Sequence, residues 1–340
     1  GDPDRPSFSA GLGLFLAGKM FFDYRGSLFW RMSAGMGDVV FAPMYQVLRQ
    51  RGVRFEFLHR VDELTLSADG RRVAEIRLSR QTAARDDQLD PLVRVRGLPC
   101  FPSVLPADRL AADAPDATLD LERHGADGDG DPVVLRDGRD FDVVVFGLSV
   151  GAVPIVASEL VERLPAWRAM VDEVKTVPTQ ALQLWLRPTE AELGFPATGA
   201  VVSGYVTPFD TFASMTHLLG AEDWPAASAP GTIAYFCSAL ADDVENVEDG
   251  AGEPVDRVRC HATRFVERDL VQFFPAASTP AGGFDWDALC APDHLVGADR
   301  IDAQLLVEGE SSISKALDEE LYRITLEALN NALKHSGASS

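Results

Sequence analysis

The run FDVVVFG at residues 141–147 constrains the fold more than any other segment of this sequence. It is short, almost entirely apolar after Asp142 and rich in β-branched valine, which is typical of a strand buried on both faces of a parallel sheet. A helical pattern follows, with Ile155, Leu160 and Leu164 on one face. A buried strand followed by a helix predicts an α/β chain.

Other segments predict further strands and helices of the same class. Residues 64–78 predict a hairpin with Asp69-Gly70 as its two-residue turn. Residues 179–187 and 231–240 predict strands that pair with each other in a second sheet.

Three helical patterns accompany these strands. One begins at Asp38 and stops at Gly52, and a strand pattern follows it at 53–61. Residues 208–219 predict a short helix, and 255–274 predict an amphipathic helix.

Composition places the chain among globular proteins and argues against several partners. With 46% hydrophobic and 24% charged residues, its 340 residues suffice for two ordinary domains. A net charge of −21 argues against nucleic acid and anionic membrane surfaces, because both would repel it. The four cysteines and six histidines show no metal-ligand spacing, and neither a membrane span nor a signal peptide is evident. We predict a cytoplasmic protein with reduced thiols.

The motif Gly35-Met36-Gly37 lies between a strand-like run and a helix, with Glu56 at the next strand. This is the outline of a dinucleotide fold, in which glycines let a pyrophosphate approach a helix N-terminus. Val40 stands where the third glycine belongs, and Asp38 would add a negative charge beside the phosphate. Because a lone G-x-G is weak evidence, we interpret the motif as a tight turn before a helix.

The run Gly147-Leu148-Ser149-Val150-Gly151 fits the G-x-S-x-G pattern of a serine hydrolase. In such enzymes a sharp turn exposes the serine oxygen, and a histidine later in the chain activates it. His217, His261 and His294 lie downstream, but no oxyanion-loop motif lies upstream. A hydrolase with Ser149 as nucleophile therefore stays as an alternative to a plain turn.

Two stretches together resemble FAD-dependent oxidoreductases of the amine oxidase and carotenoid desaturase type. Residues 25–80 contain GSLFWRMSAGMGDVVFAPMYQVLRQRGVRFEFLHRVDELTLSADGRRVAEIRL, and residues 140–188 begin with the run FDVVVFGLSVGAV after one aspartate. In that family a GGMG-like turn opens a helix, the next strand turns its end toward the adenine, and a β-meander follows. The chain then returns to the cofactor domain through a strand like FDVVVFG. The resemblance extends to about residue 304, and APDHLVGADRIDAQ lies at its end.

This resemblance implies FAD as the cofactor and assigns three contacts to it. Val61 would meet the adenine through its backbone, and Gly147 and Leu148 would pass near the ribose or pyrophosphate. The implied activity is hydride transfer to FAD from a C–N or C–C bond of a small organic substrate, with no catalytic residue assigned. The family's opening G-x-G-x-x-G turn and closing G-D-x segment are missing from this sequence. We therefore predict that the chain does not hold FAD tightly unless a partner subunit supplies the missing half.

The last twenty residues resemble another family. LYRITLEALNNALKHSGASS at 321–340 is similar to the first helix of the histidine-kinase ATP-binding domain, called the N box. Glu327, Asn331 and Lys334 are spaced so that they share one helix face. The resemblance implies that they activate or orient groups, hold Mg²⁺ and meet phosphate, respectively. We predict a helix at 321–335 without kinase or ATPase activity, because that family's glycine-rich nucleotide motifs do not follow.

These resemblances divide the sequence into three parts. Residues 30–150 predict a partial Rossmann-like FAD-binding domain with a β-meander and an acidic loop at 81–140. Residues 1–29 and 151–304 predict a mixed-sheet substrate domain, and 305–340 predict the kinase-like fragment. The predicted fold is therefore an incomplete two-domain FAD-dependent oxidoreductase with a C-terminal helix. A non-catalytic composite, whose folded parts only bind other molecules, is the remaining alternative.

Overall fold

The structure is a computed structural model of the chain. It describes residues 9–26, 30–86, 89–102, 104–111, 121, 132–174, 179–239, 254–291, 295–301, 306–307 and 322–326. These residues form a mixed α/β structure with several sheets, whose strands pair mostly antiparallel.

The first helices follow their local sequence signals. Helix α1 (Ala10–Phe22) begins at an N-cap, Ser9, whose hydroxyl accepts a hydrogen bond from the Leu12 amide at 3.4 Å. A π-helical turn at Gly37–Phe41 continues into α2 (Ala42–Gln50). Gly52 ends α2 as predicted, since its φ of +88° is a left-handed conformation that glycine adopts without strain.

A three-stranded antiparallel sheet follows, made of β1 (His59–Leu66), β2 (Val73–Arg80) and a later strand. Between them and that strand lies a small hairpin of β3 (Val93–Val95) and β4 (Leu98–Cys100). The third strand is β5 (Pro132–Arg136), and the order is β1-β2-β5.

The hairpin predicted at 64–78 is confirmed, but its turn is not Asp69-Gly70. The Gly70 amide donates to the Ser67 carbonyl at 2.8 Å, which makes Ala68 and Asp69 the central residues.

The strand predicted at 53–61 begins only at residue 59. Phe55 and Phe57 precede it and pack edge-on against Tyr45 of α2, with ring centroids 4.8 and 5.8 Å away. Aromatic packing against a helix thus replaces the predicted start of the strand.

The prediction of a parallel strand at 141–147, buried on both faces, is wrong. Among the described residues this segment forms no ladder with another strand. Val144 and Phe146 pack into an apolar cluster, whereas Val143 and Val145 are 79% and 91% exposed. The apolar run could not show which faces would be covered, because that depends on neighbouring strands that the run does not specify.

Three short helices follow this segment: α3 (Val153–Val156), α4 (Ser158–Arg163) and α5 (Pro165–Glu173). They pack against the three-stranded sheet around five buried residues, which are Leu64, Val153, Val156, Ala157 and Leu160. We call residues 30–174 the meander region. It comprises α2, the three-stranded sheet, the β3–β4 hairpin, the segment after β5 and helices α3–α5.

A six-stranded sheet forms the second part of the structure. Its strands are β6 (Thr179–Leu186), β7 (Val201–Val206), β8 (Phe209–Ser214), β9 (Thr232–Ala239), β10 (Leu306–Val307) and β11 (Tyr322–Leu326). The strand order is β10-β11-β6-β9-β8-β7. β6 and β9 pair along their whole length, which confirms that the segments predicted at 179–187 and 231–240 are partners. We call this part the large-sheet region (residues 179–326).

One long helical segment covers this sheet. Helix α6 (Pro254–Phe265) continues through a π-helical turn at Val266–Leu270 into the short helix α7 (Val271–Phe273). The predicted amphipathic helix at 255–274 is therefore confirmed. Its Phe265 packs on the sheet through Phe209 and Phe236, with ring centroids 5.3 and 5.0 Å away.

The short helix predicted at 208–219 is wrong. Its first half is strand β8, and only residues 216–220 form a 3-10 turn. Phe209 and Phe212 are spaced by three, as on a helix face, but both are completely buried in the sheet. Pairing of β8 with β7 and β9 overrides the local pattern.

The helix predicted at 321–335 is wrong over Tyr322–Leu326, which forms β11 parallel to β6. This stretch contains β-branched isoleucine and threonine beside a tyrosine, and such residues favour a strand where a sheet edge is available. The rest of the predicted helix lies outside the described residues.

Candidate functional site

The candidate site lies where the segment after β5 joins the apolar cluster that is formed by the three-stranded sheet and helices α3–α5. Val144 and Phe146 of this segment join the same apolar cluster as Val61 of β1. The side chains of β1 and of α3–α5 hold this cluster together. The structure therefore brings the predicted adenine contact, Val61, and the approach to Gly147 onto one scaffold.

Val61 lies in β1, which is an edge strand of the three-stranded sheet. The Gln81 amide donates to the Leu58 carbonyl at 2.8 Å, and the register pairs Val61 with Leu78. Because hydrogen-bonded and non-hydrogen-bonded pairs alternate in antiparallel strands, the N–H of Val61 is directed away from β2. An irregularity in the register between Val61 and Glu63 interrupts this alternation on the carbonyl side of Val61. An outward N–H is a donor that a ring nitrogen of adenine can accept.

The other end of the β1 edge is covered by α4. The Leu66 amide donates to the Glu159 carboxylate at 2.7 Å, and Arg163 donates to the same side chain at 2.6 Å. The hydrogen bond from the Leu66 amide and the bond from Arg163 lower the pKa of Glu159, since both favour its charged form. A ligand on this edge is thereby limited to the end that carries Val61.

Gly147 and Leu148 follow the extended segment, and both are exposed. A Cβ built on Gly147 meets no atom within 4 Å. The position therefore has room for a ligand to pass, as the resemblance implies, but no close approach within the chain requires glycine there.

The turn at Gly35–Gly37 is closed to an anion. The amides of Asp38 and Val39 both donate to the Gly35 carbonyl, at 2.9 and 3.0 Å. The Asp38 side chain is buried, and a Cβ on Gly35 would lie 2.9 Å from its Oδ2. A carboxylate thus occupies the space where a phosphate would have to lie. The residues at this turn do not fit the pyrophosphate of FAD, and Glu56 lies exposed in the coil before β1.

Ser149 does not have the surroundings of a catalytic nucleophile in the described part of the chain. Its Oγ is buried and has no hydrogen-bond partner there. His217 and His261 make contacts elsewhere, with a backbone carbonyl and a glutamine side chain, and His294 lies outside the described residues. A G-x-S-x-G nucleophile needs an exposed oxygen that donates to a histidine. The geometry does not support the hydrolase alternative.

A buried carboxylate that the sequence patterns did not suggest lies in the large-sheet region. Glu190 accepts hydrogen bonds from the Gly199 amide at 2.7 Å, from Thr216 Oγ1 at 2.9 Å and from the Ser214 hydroxyl. Its partners come from three different loops and strands, so no local spacing could have indicated them. All the groups in this network are paired, which is the pattern of a structural group.

Two further buried polar groups lie in the same region. Glu222 accepts from the indole N–H groups of Trp185, at 3.1 Å, and Trp224. His261 Nδ1 lies 3.3 Å from the Gln180 side-chain oxygen, while its Nε2 is buried with no partner among the described residues. Burial and two nearby arginines lower the pKa of His261, so that it is neutral at pH 7.

Glu327, Asn331 and Lys334 lie outside the described residues. The ATP-like contacts and the Mg²⁺ ligand that the N-box resemblance implies therefore stay predictions.

The described residues include neither a metal-binding cluster nor a membrane-spanning helix. There, no three histidine, cysteine or acidic side chains are grouped so that they could hold a metal ion. No described helix is both long and apolar enough to cross a membrane. The four cysteines are free, and burial raises the pKa of Cys290 to about 11, which keeps that thiol protonated.

Comparison of the chain with protein-family models, with curated proteins and with solved structures gives no match.

Proposed function

We propose that this chain is a segment of a flavin-dependent oxidoreductase of the amine oxidase and carotenoid desaturase type, with an adenine edge but a closed G-x-G turn. The observation that carries the proposal is the packing of Val144 and Phe146 into the apolar cluster that β1 shares with α3–α5. The order of elements also supports it, since a helix, a β-meander, a returning segment and a separate sheet follow one another.

In this proposal the cofactor supplies the chemistry, which is acceptance of hydride from a C–N or C–C bond of a small organic substrate. The chain's own residues hold the adenine end. The outward N–H of Val61 orients the ring, and Gly147 and Leu148 lie where the chain passes the ribose. No described residue is assigned a catalytic role.

The proposed contacts predict weak binding of FAD. Micromolar affinity requires about 8 kcal/mol of net binding free energy. A neutral hydrogen bond at the adenine edge supplies only about 0.5–1.5 kcal/mol. The net charge of −21 also opposes a ligand with two phosphates, although salt screens this effect beyond about 10 Å. Tight binding would need a second surface from a partner subunit.

Titration of the 340-residue chain with AMP and with FAD, followed by ligand-observed NMR, tests this proposal. We expect both ligands to bind weakly and with similar affinity, because the adenine end supplies the contact that they share. Val61→Pro removes the outward N–H at an edge position where proline is tolerated, and should weaken binding of both ligands. Val61→Thr keeps the N–H and is the matched control.

Two outcomes would contradict the proposal. FAD binding that is far tighter than AMP binding would show that the pyrophosphate or the flavin has its own site. If AMP does not bind at all, the edge at Val61 is not an adenine site, and the flavin proposal is wrong.

A further inference from the structure

We infer that two copies of this chain associate by pairing residues 142–148 of each as antiparallel β-strands. Residues 142–148, which we call the self-pairing segment, lie in the meander region after the turn that follows β5. The inference does not depend on the flavin proposal, since it rests on the backbone and the side chains of the segment alone.

Within the described part of the chain, the backbone of residues 142–148 makes no hydrogen bond with other backbone groups. Burial nevertheless alternates along the segment, as it does along a strand with one covered face. Unpaired N–H and C=O groups on a strand-like segment are a template for pairing with another strand.

One face of the segment is already anchored. Val144 and Phe146 anchor one face in the apolar cluster of the meander region. Val143 and Val145 project from the other face and are 79% and 91% exposed. Because the strand is fixed before association, pairing costs little further ordering of the chain.

The sequence of the segment is complementary to itself. In an antiparallel pair centred on Val145, Val144 faces Phe146 and Val143 faces Gly147, which leaves room for the valine. Asp142 faces Leu148, and the two copies of Asp142 lie six residues apart, or roughly 20 Å. Like charges therefore do not meet, and the exposed valines of both copies form one apolar stripe. A twofold axis through Val145 gives the closed symmetry that is most common among protein dimers.

The size and charge of the contact determine its strength. Two exposed valines and a half-exposed leucine from each copy make a contact at the low end of interface sizes, below about 1,200 Å² in total. Each copy also carries a charge of −21, which opposes association unless salt screens it. We therefore expect a weak, reversible dimer that salt strengthens.

Sedimentation velocity of the full chain tests the inference. The mass should rise from 36.8 kDa toward twice that value as concentration increases, and more strongly at about 1 M than at about 0.1 M salt. Val145→Lys sets two positive charges against each other on the twofold axis and should weaken dimerisation at least tenfold. Since Val145 faces water, the variant should keep the circular dichroism spectrum of the wild type.

Val296→Lys is the matched control, because it makes the same change at an exposed valine of the large-sheet region. It should dimerise like the wild type, as should Val145→Thr, which keeps a β-branched side chain on the axis. A chain that stays monomeric up to about 1 mM would overturn the inference. So would a Val145→Lys variant that dimerises as strongly as the wild type, since another surface would then be responsible.

Discussion

The large-sheet region and the part of the chain before it differ in how many large apolar side chains they leave exposed. Of the 23 large apolar side chains that are exposed among the described residues, 21 lie in residues 9–174. The other two are Val201 and Val296. The large-sheet region also contains a cluster of 20 buried residues, against five in the meander region. The large-sheet region is thus a self-contained core, whereas the earlier part presents apolar surface suited to binding.

Helix α1 shows this contrast in its extreme form. It has no buried residue, and Phe22 at its end is 89% exposed. A helix that is apolar all round normally lies inside a protein. Its 13 residues span only about 20 Å, too short for a bilayer core of about 30 Å. The largest buried apolar cluster thus lies in the large-sheet region, and most of the exposed large apolar side chains lie in the first 174 residues.

The strongest test of this contrast is the same truncation in both parts. Phe212→Ala empties a fully buried position between β7 and β9 and should lower the free energy of unfolding by about 3–5 kcal/mol. Phe22→Ala removes an exposed ring and should change it by less than about 0.5 kcal/mol. Urea denaturation measures both. Similar losses in the two variants would show that α1 is part of the core.

Glu190→Ala probes the polar part of the large-sheet core. It leaves the Gly199 amide and the Ser214 and Thr216 hydroxyls without their acceptor, which should cost about 3 kcal/mol of unfolding free energy. Glu192→Ala is the control, since Glu192 accepts hydrogen bonds from Thr189 at an exposed position and should matter much less. An equal effect of both changes would mean that the Glu190 network adds nothing by being buried.

Gly35→Ala tests the closed turn of the meander region. The added methyl group meets the Asp38 carboxylate at 2.9 Å and should cost about 1 kcal/mol. In an Asp38→Ala background the same change should cost less, because the obstructing carboxylate is gone. Thermal unfolding of the four variants gives the coupling. Strict additivity would show that the carboxylate does not occupy the space beside Gly35.

The smallest expected effect is a pH dependence that arises in the large-sheet region. Burial, with Arg264 and Arg257, lowers the pKa of His261 below the value of about 6.5 that it has when unfolded. The unfolded chain then binds more protons, so this contribution to stability is lost as the pH falls below about 6.5. His261→Gln should flatten the dependence of the unfolding free energy on pH between 7 and 5. An equally steep dependence in His261→Gln would show that this histidine is not its source.

Local patterns in the sequence predicted the elements that local signals determine. Helix α2 ends at Gly52, and β1 and β2 form the expected hairpin. The partnership of β6 with β9 was also predictable, because each is an apolar strand bounded by proline or glycine.

What local patterns could not predict depends on contacts between distant segments. The run at 141–147 has the composition of a buried strand, but no described strand pairs with it. The Glu190 network joins loops and strands up to 26 residues apart, which no spacing rule describes. In the candidate site, the outward direction of the Val61 backbone depends on the register of β1 with β2, which the sequence alone does not specify.

We propose that the described part of this chain offers FAD an adenine edge but no place for its pyrophosphate. The most direct measurement is to purify the 340-residue chain with added FAD, remove the free ligand, and record the visible spectrum. We expect no flavin absorbance beyond a trace, because Asp38 closes the turn at Gly35 and the remaining contacts are weak. Bound flavin near one per chain would contradict it.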